Sequence, residues 1–329
     1  MTGVRAAICR SYGPPEVVHV EAIPVPTLAA GQVRVRVRAA AVNFPDVLII
    51  ANEYQIKVPT PFVPGSELAG VVEEVADGVG DIDVGDRVVG TALVGAFAQE
   101  AVVDARAVTR IPDGVDEHLA AAFGVAHRTA YHVLRSVARL QPGERLVVLG
   151  AGGGVGLAAV QLGMLLGASV TAVASSPEKL DVAASYGAVN LVDHRGIDLR
   201  QAFRECLPNG ADVVVDPVGG DLSEPALRAL RWGGRFVTVG YASGTIPRIP
   251  LNLVLLKGVQ VLGFQLIDFA TNLPDELHRN EAELTDLLAT GRVVPHIGAT
   301  FPLDEVATAL RHVADGRAIG KVVLDIAGG

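Results

Sequence analysis

An α/β fold, with a doubly wound parallel sheet beside a compact β-rich part, is predicted by three observations. Strand and helix signals alternate from residue 146 to residue 264. A glycine-rich turn separates the first strand of that series from its first helix. The stretch before it consists of short runs broken by Gly, Pro and Asp. Such alternation builds a parallel sheet with helices on both faces. The 329 residues fit about two domains.

Taken in order, residues 32–38 (Gln-Val-Arg-Val-Arg-Val-Arg) alternate apolar and charged side chains, as a half-buried strand does. Residues 67–75 and 86–90 are further short strands, so this end reads as a compact β-rich domain. The parallel series has strand candidates at 146–149, 170–174, 189–192, 212–216, 235–239 and 259–263, with helices opening at Val155, Pro177, Leu199 and Leu222. Leucines at 273, 277, 284, 287 and 288 mark an amphipathic helix over 273–290. A helix over 303–314 and a strand over 321–326 complete the chain.

Composition narrows the partners. Half of the residues are apolar and only 5% aromatic, so the core is built from Val, Leu, Ala and Ile. An excess of 36 acidic over 27 basic residues gives a net charge of −9, which argues against nucleic acid or an anionic membrane as the partner. Two cysteines, Cys9 and Cys206, are too few for a zinc-binding lobe and fit a reducing compartment. The opening residues lack the apolar core of a secretion signal, and a cytoplasmic protein is expected. Residues 153–174 contain no charge and are long enough to invite a membrane span. Gly163, Gly167 and Ala168 interrupt them and their second half is β-branched, so a buried helix followed by a buried strand is the better reading.

The turn carries the chemistry. Residues 150–156 read Gly-Ala-Gly-Gly-Gly-Val-Gly, with Ala151 where the usual GxGxxG has a glycine. Between a strand and a helix, such a turn brings backbone N–H groups and the positive end of a helix to a dinucleotide's pyrophosphate. Gly150, Gly153, Gly154, Val155 and Gly156 are the expected contacts. An NAD site places an acid about 20 residues further on, against the ribose 2′-OH. Here the second strand ends in Val173-Ala-Ser-Ser176 without one, and Ser175, Ser176 and Lys179 suit a 2′-phosphate instead, pointing to NADPH. Ser176 before Pro177 also reads as a helix N-cap, with Lys179 solvated. The two roles are compatible.

Beyond single motifs, the chain resembles the medium-chain dehydrogenases/reductases, and within them the zinc-independent NADPH:quinone oxidoreductases that include zeta-crystallin. The resemblance runs through "GPPEVVHVEAIPVP", "GQVRVRVRAAAVNFPDVL", "PFVPGSELAGVVEEVADGV", the glycine turn, "SSPEK" and the terminal "GRAIGKVVL". It implies a GroES-like substrate domain over 1–124 and 269–329, a Rossmann NADPH-binding domain over 125–268, and a cleft between them. Zinc-dependent relatives carry ligands where this chain has Asn43, Ser66 and Val125, none a credible zinc ligand; no metal site is expected. A quinone or conjugated enone, whose own conjugation spreads the charge that hydride brings, is the expected acceptor.

The resemblance also implies roles for single residues. Asn43 and Thr129 fall beside the nicotinamide and its ribose, although Asn before Phe-Pro is also ordinary turn chemistry. Tyr54 matches a tyrosine that donates a proton in related enoyl thioester reductases, with Asn52 replacing the preceding glycine. His194 stands where the family has a tyrosine against the 2′-phosphate, and Arg195 follows it. Val218, Gly240 and Tyr241 match loops passing the nicotinamide. His127, Arg128 and His132 read as surface residues at a helix start. The segment 250–264 matches the edge strand through which relatives form homodimers. Two other readings stay open: an enoyl thioester reductase using Tyr54, and a non-catalytic NADPH-binding structural or sensory protein.

Overall fold

The alternating run at residues 32–38 becomes the spine of the first sheet. In the computed structural model, residues 3–327 are described; Met1, Thr2, Gly328 and Gly329, which the expected domain bounds include, lie outside them. The chain divides into two compact units. One comprises residues 1–125 and 294–329, the other residues 126–293.

In the first unit, β1 (Val4–Cys9) pairs antiparallel with β2 (Val18–Ile23). β3 (Gln32–Val42) leads into a short helix, α1 (Phe44–Ile50), and is followed by β4 (Glu67–Val75), β5 (Arg87–Thr91), β6 (Glu100–Asp104) and β7 (Val108–Arg110). Val33, Val35 and Val37 of β3 are buried, whereas Arg34, Arg36 and Arg38 alternate to the other face, as a strand's twofold period requires. α2 (Glu117–His132) carries the chain into the second unit.

That unit holds β8 (Arg145–Leu149), α3 (Gly154–Leu165), β9 (Ser169–Ala174), α4 (Pro177–Ser185), β10 (Asn190–Asp193), α5 (Leu199–Cys206), β11 (Ala211–Asp216), α6 (Ser223–Ala229), β12 (Leu230–Thr238), α7 (Leu251–Lys257), β13 (Gln260–Gly263), α8 (Leu266–Asn272) and α9 (Pro274–Ala289). The chain then returns to the first unit with β14 (Ile297–Pro302), α10 (Val306–Ala314) and β15 (Lys321–Asp325).

The first sheet runs β14-β15-β3-β4-β5-β7, with β6 also on β3. β15 lies antiparallel to β3 with Val322 opposite Val42, so the end of the chain borders the residue that follows β3. The second sheet runs β10-β9-β8-β11-β12-β13, every pair parallel. Its order reverses between β8 and β11, and the carboxyl ends of these strands flank the crevice where open α/β sheets bind ligands. Leu146, Val147, Val148 and Leu149 of β8, and Val213, Val214 and Val215 of β11, are fully buried. A strand covered on both faces needs such unbroken apolar runs. Each buried Val or Leu contributes roughly 1.5–3 kcal/mol.

Three expectations are corrected. Residues 269–293 do not join the β-rich unit; they pack with the parallel-sheet unit, and the chain returns only at residue 294. The reason is a polar seam between α2 and α9. Arg128 donates to Glu281 at 2.6 Å, the Tyr131 hydroxyl to Glu283 at 2.6 Å, and Asn280 Nδ2 lies 3.0 Å from His132 Nδ1. His127 and His132 are therefore not surface residues at a helix start but are buried well along α2, with Arg128 half-buried beside them. Finally, 250–264 is not one edge strand, because Leu251–Lys257 is helical and only Gln260–Gly263 extends the sheet edge.

Residues 153–174 divide into α3 and β9, as the glycines imply. A Cβ at Gly163 would stand 2.5 Å from the end of the Leu146 side chain, so α3 lies close on β8 at this glycine and a larger residue would have to push that side chain aside. Among the described residues no helix is long and apolar enough to cross a membrane.

Candidate active site

In the parallel-sheet unit, the glycine turn is shaped by steric need. Gly150 has φ +62°, in the left-handed region that favours glycine. A Cβ on Gly156 would stand 2.0 Å from the Gly150 carbonyl oxygen. No side chain fits there. At Gly152 a Cβ would strike the Lys179 side chain at 2.6 Å, so the lysine stem lies across the turn. Gly153 differs: its nearest neighbour would be 3.5 Å away, an ordinary contact. Gly153 is the N-cap of α3 and offers no side-chain acceptor, leaving the first N–H groups of Gly154, Val155 and Gly156 for a ligand.

The neighbouring strand end gathers the other expected contacts. Ser176 caps α4, its hydroxyl accepting the Lys179 N–H at 3.3 Å, while Lys179 Nζ donates to Ser175 Oγ at 3.3 Å. Burial pulls the Lys179 ammonium pKa down, assisted by Arg195. His194 follows β10, its N–H bonded to the Ala174 carbonyl, and burial lowers its pKa against the opposing pull of Asp193. Its neutral form is thereby favoured, and that form still has one N–H to donate. Arg195 turns back to Asp193 at 3.1 Å.

Asp216, at the end of β11, organises the loop beyond it. This fully buried carboxylate accepts the N–H groups of Val218 and Gly219 through Oδ1, at 2.9 and 2.8 Å, and the Ser223 hydroxyl through Oδ2 at 2.6 Å. Val218 is held against the glycine turn, since a Cβ on Gly150 would meet it at 2.6 Å. The Ser243 N–H binds the Val218 carbonyl and the Ala242 N–H that of Pro217, which ties the loop of Gly240 and Tyr241 to the same place. Thr129 is buried on α2, two residues from His127, whose Nε2 reaches Gln161 of α3 at 3.4 Å.

In the β-rich unit, Asn43 lies between β3 and α1 and is buried. Its Nδ2 donates to Glu67 Oε2 at 3.0 Å, and its Oδ1 accepts from Lys321 Nζ at 2.5 Å. Lys321 also reaches Glu67 Oε2 at 3.2 Å; both residues are at most 4% exposed. Glu67 Oε1 accepts the Val125 N–H at 2.7 Å. Asp46 caps α1 by accepting the Asn43 N–H at 2.7 Å. Burial pushes its carboxyl up to about 7, despite the lowering pull of that N–H, Ser66 and Lys321. Tyr54 is half-buried against the unit's apolar core; burial, and next the Asp46 charge, raise the pKa of its phenol. Asn52 adopts φ +58°, a conformation that Asn tolerates better than other non-glycine residues, which explains how it replaces glycine.

Sequence reasoning missed Asp216, Glu67 and Lys321 as site residues. The last two stood in motifs already noted, but no spacing rule links positions 254 residues apart.

Comparison with known proteins decides the family. The Alcohol dehydrogenase GroES-like domain matches residues 29–113 and the Zinc-binding dehydrogenase family residues 154–282. Quinone oxidoreductase-like protein 2 of Bos taurus is 36% identical over 324 residues, 98% of this chain and 92% of that protein. The chain belongs to the quinone oxidoreductase family of the medium-chain dehydrogenases/reductases. Among solved structures, Escherichia coli quinone oxidoreductase complexed with NADPH superposes with a TM-score of 0.90 at 27% identity, covering 99% of this chain and all of that one. The polyketide synthase GfsB of Streptomyces halstedii contains a segment 40% identical over 300 residues, 91% of this chain and 5% of that protein. As a family member, this oxidoreductase combines a GroES-like domain with a Rossmann-type parallel sheet.

Two groups known in the superfamily meet different fits. The bare glycine turn, the free first turn of α3 and the Ser175–Lys179 pair suit a phosphorylated dinucleotide. Zinc does not fit the Asn43 pocket. An amide and a hydroxyl are poor ligands, and an ammonium already lies against the Glu67 carboxylate.

Proposed function

We propose that this oxidoreductase transfers a hydride from NADPH to a quinone or another conjugated enone, without zinc. The observation that carries the acceptor class is the Asn43 pocket. Exchange between an alcohol and a carbonyl requires stabilisation of an alkoxide, commonly by a metal, and Asn43, Ser66, Glu67 and Lys321 offer no ligand set for one. An acceptor that delocalises its own charge has no such need. NADPH, when bound, supplies the hydride from nicotinamide C4.

The chain supplies binding and orientation. Backbone N–H groups at Gly154, Val155 and Gly156 seat the pyrophosphate, and Ser175, Ser176, Lys179 and His194 hold the 2′-phosphate. Val218, Gly240 and Tyr241 form the wall beside the nicotinamide. Thr129 holds its ribose, and Asn43 belongs to the reacting end. Tyr54 keeps its proton because its pKa is raised, so it yields that proton only to a strongly basic enolate, and solvent serves otherwise. The free cysteines Cys9 and Cys206 suit a cytoplasmic protein. A second copy continues the sheet at β13, where Val261 is exposed and Leu251, Leu255 and Leu256 of the preceding α7 are exposed as well. Sedimentation showing only monomer at working concentration removes that part.

The test is oxidation of NADPH and NADH against naphthoquinones, alkenals and crotonyl-CoA. NADPH-preferring turnover with quinones or alkenals is expected; NADH preference, or no turnover with any acceptor, overturns the reading. The polyketide synthase match favours a second reading, enoyl thioester reduction with Tyr54 as proton donor. Under it, Tyr54→Phe abolishes crotonyl-CoA reduction and spares quinone reduction.

A further inference from the structure

We propose that Lys321 is a positioning residue for Asn43, its buried ammonium serving as a built-in cation that fixes the direction of the Asn43 amide and keeps divalent metal out of the pocket. Strand order creates the arrangement. β15 and β4 lie on either side of β3, so Lys321 at the start of β15 and Glu67 at the start of β4 both border the residue just beyond β3. That residue is Asn43.

The polarity of the pocket admits one amide orientation. Glu67 Oε1 is occupied by the Val125 N–H, so Oε2 alone faces both Lys321 and Asn43. With Oδ1 toward the ammonium and Nδ2 toward the carboxylate, the amide's acceptor faces a donor and its donor faces an acceptor. The flipped amide sets its NH2 group against an ammonium and its oxygen against a carboxylate. Gly124 reinforces the arrangement, because a Cβ there would stand 2.6 Å from Glu67 Oε1 and displace the carboxylate. A divalent cation could reach Oε2 only by expelling an ammonium that is 4% exposed.

The test combines Lys321→Met, Lys321→Arg, Asn43→Leu and the Met/Leu double variant in full-length protein. The activity readout rests on the function proposed above; melting temperature and zinc content do not. In quinone reduction, K321M is expected to lower kcat by up to about a hundredfold, the loss that a misplaced orienting group produces. The KM for NADPH stays unchanged, K321R restores most of the rate, and the double variant is no worse than N43L. In thermal melts the K321M and N43L losses are likewise expected to be non-additive. Wild-type protein dialysed against zinc and then against metal-free buffer is expected to retain none. Additive losses, or wild-type kcat in K321M, overturn the proposal. So does stoichiometric zinc retained by wild type and lost in Glu67→Gln, a result that stands even if K321M does not fold. If wild type fails to oxidise NADPH in the presence of any of the acceptors named above, the function reading alone is defeated, and the thermal and zinc results still decide this one.

Discussion

The glycine turn of the parallel-sheet unit and the Asn43 cluster of the β-rich unit are opposite solutions to placing polar groups. At the turn, five glycines among seven residues leave backbone uncovered by side chains, and the constraint is steric: a Cβ at Gly156 has nowhere to go. The cluster works through side-chain charge and hydrogen bonding between residues as much as 278 positions apart. A local, backbone-built site tolerates change everywhere except at a few crowded points. A dispersed, charge-built site instead depends on every partner, because each is the counter-charge or acceptor of another. The two should fail differently under mutation.

The largest expected effect is in the cluster. Glu67→Leu strands the Lys321 ammonium in a dry pocket and frees the Val125 N–H; breaking a buried pair in this way costs about 3–5 kcal/mol. A large fall in melting temperature is expected, and an unchanged one would show that the pair is solvated. Next comes the turn itself. Gly156→Ala forces backbone apart at a cost of about 1–3 kcal/mol and removes most NADPH affinity, whereas Gly153→Ala leaves both close to wild type. Fluorescence titration and thermal melts check this pair, and equal losses in the two variants would remove the steric account.

The smallest effect separates charge from packing by pH. Asp46 ionises near its ordinary 3.8 when unfolded but only at about 7 when folded. Between those values the folded state holds the extra proton, so the contribution of Asp46 to stability falls as pH rises through about 7. Asp46→Asn removes that dependence. Its melting temperature relative to wild type is expected to rise from pH 5 to pH 8; a constant difference would mean that the carboxyl titrates alike in both states.

Legibility in the sequence follows the same division. The parallel strands, the helices opening at Pro177 and Leu199 and the glycine turn could be read directly, because each is encoded by contiguous periodicity or by residues required locally. Ser176 shows this best, since its capping bond to Lys179 is three residues long. The helical part of 250–264 was obscured because Leu251-Asn-Leu-Val-Leu-Leu is as apolar as a strand, and short apolar runs do not declare their period. His132 looked like a surface residue because its partners, Asn280 and Glu281, lie nearly 150 positions away.

By itself, then, the sequence determined the α/β class, the succession of strand, glycine turn and helix, and the lack of an acid at the end of the second strand, since these depend on neighbours along the chain. Only the tertiary structure decided that Lys321 and Glu67 meet at Asn43, that Asp216 holds the Val218 loop, and that α9 packs on α2. Hydrogen bonds and ion pairs reach only a few ångströms, and which distant residues come that close is set by strand pairing and packing rather than by spacing along the chain.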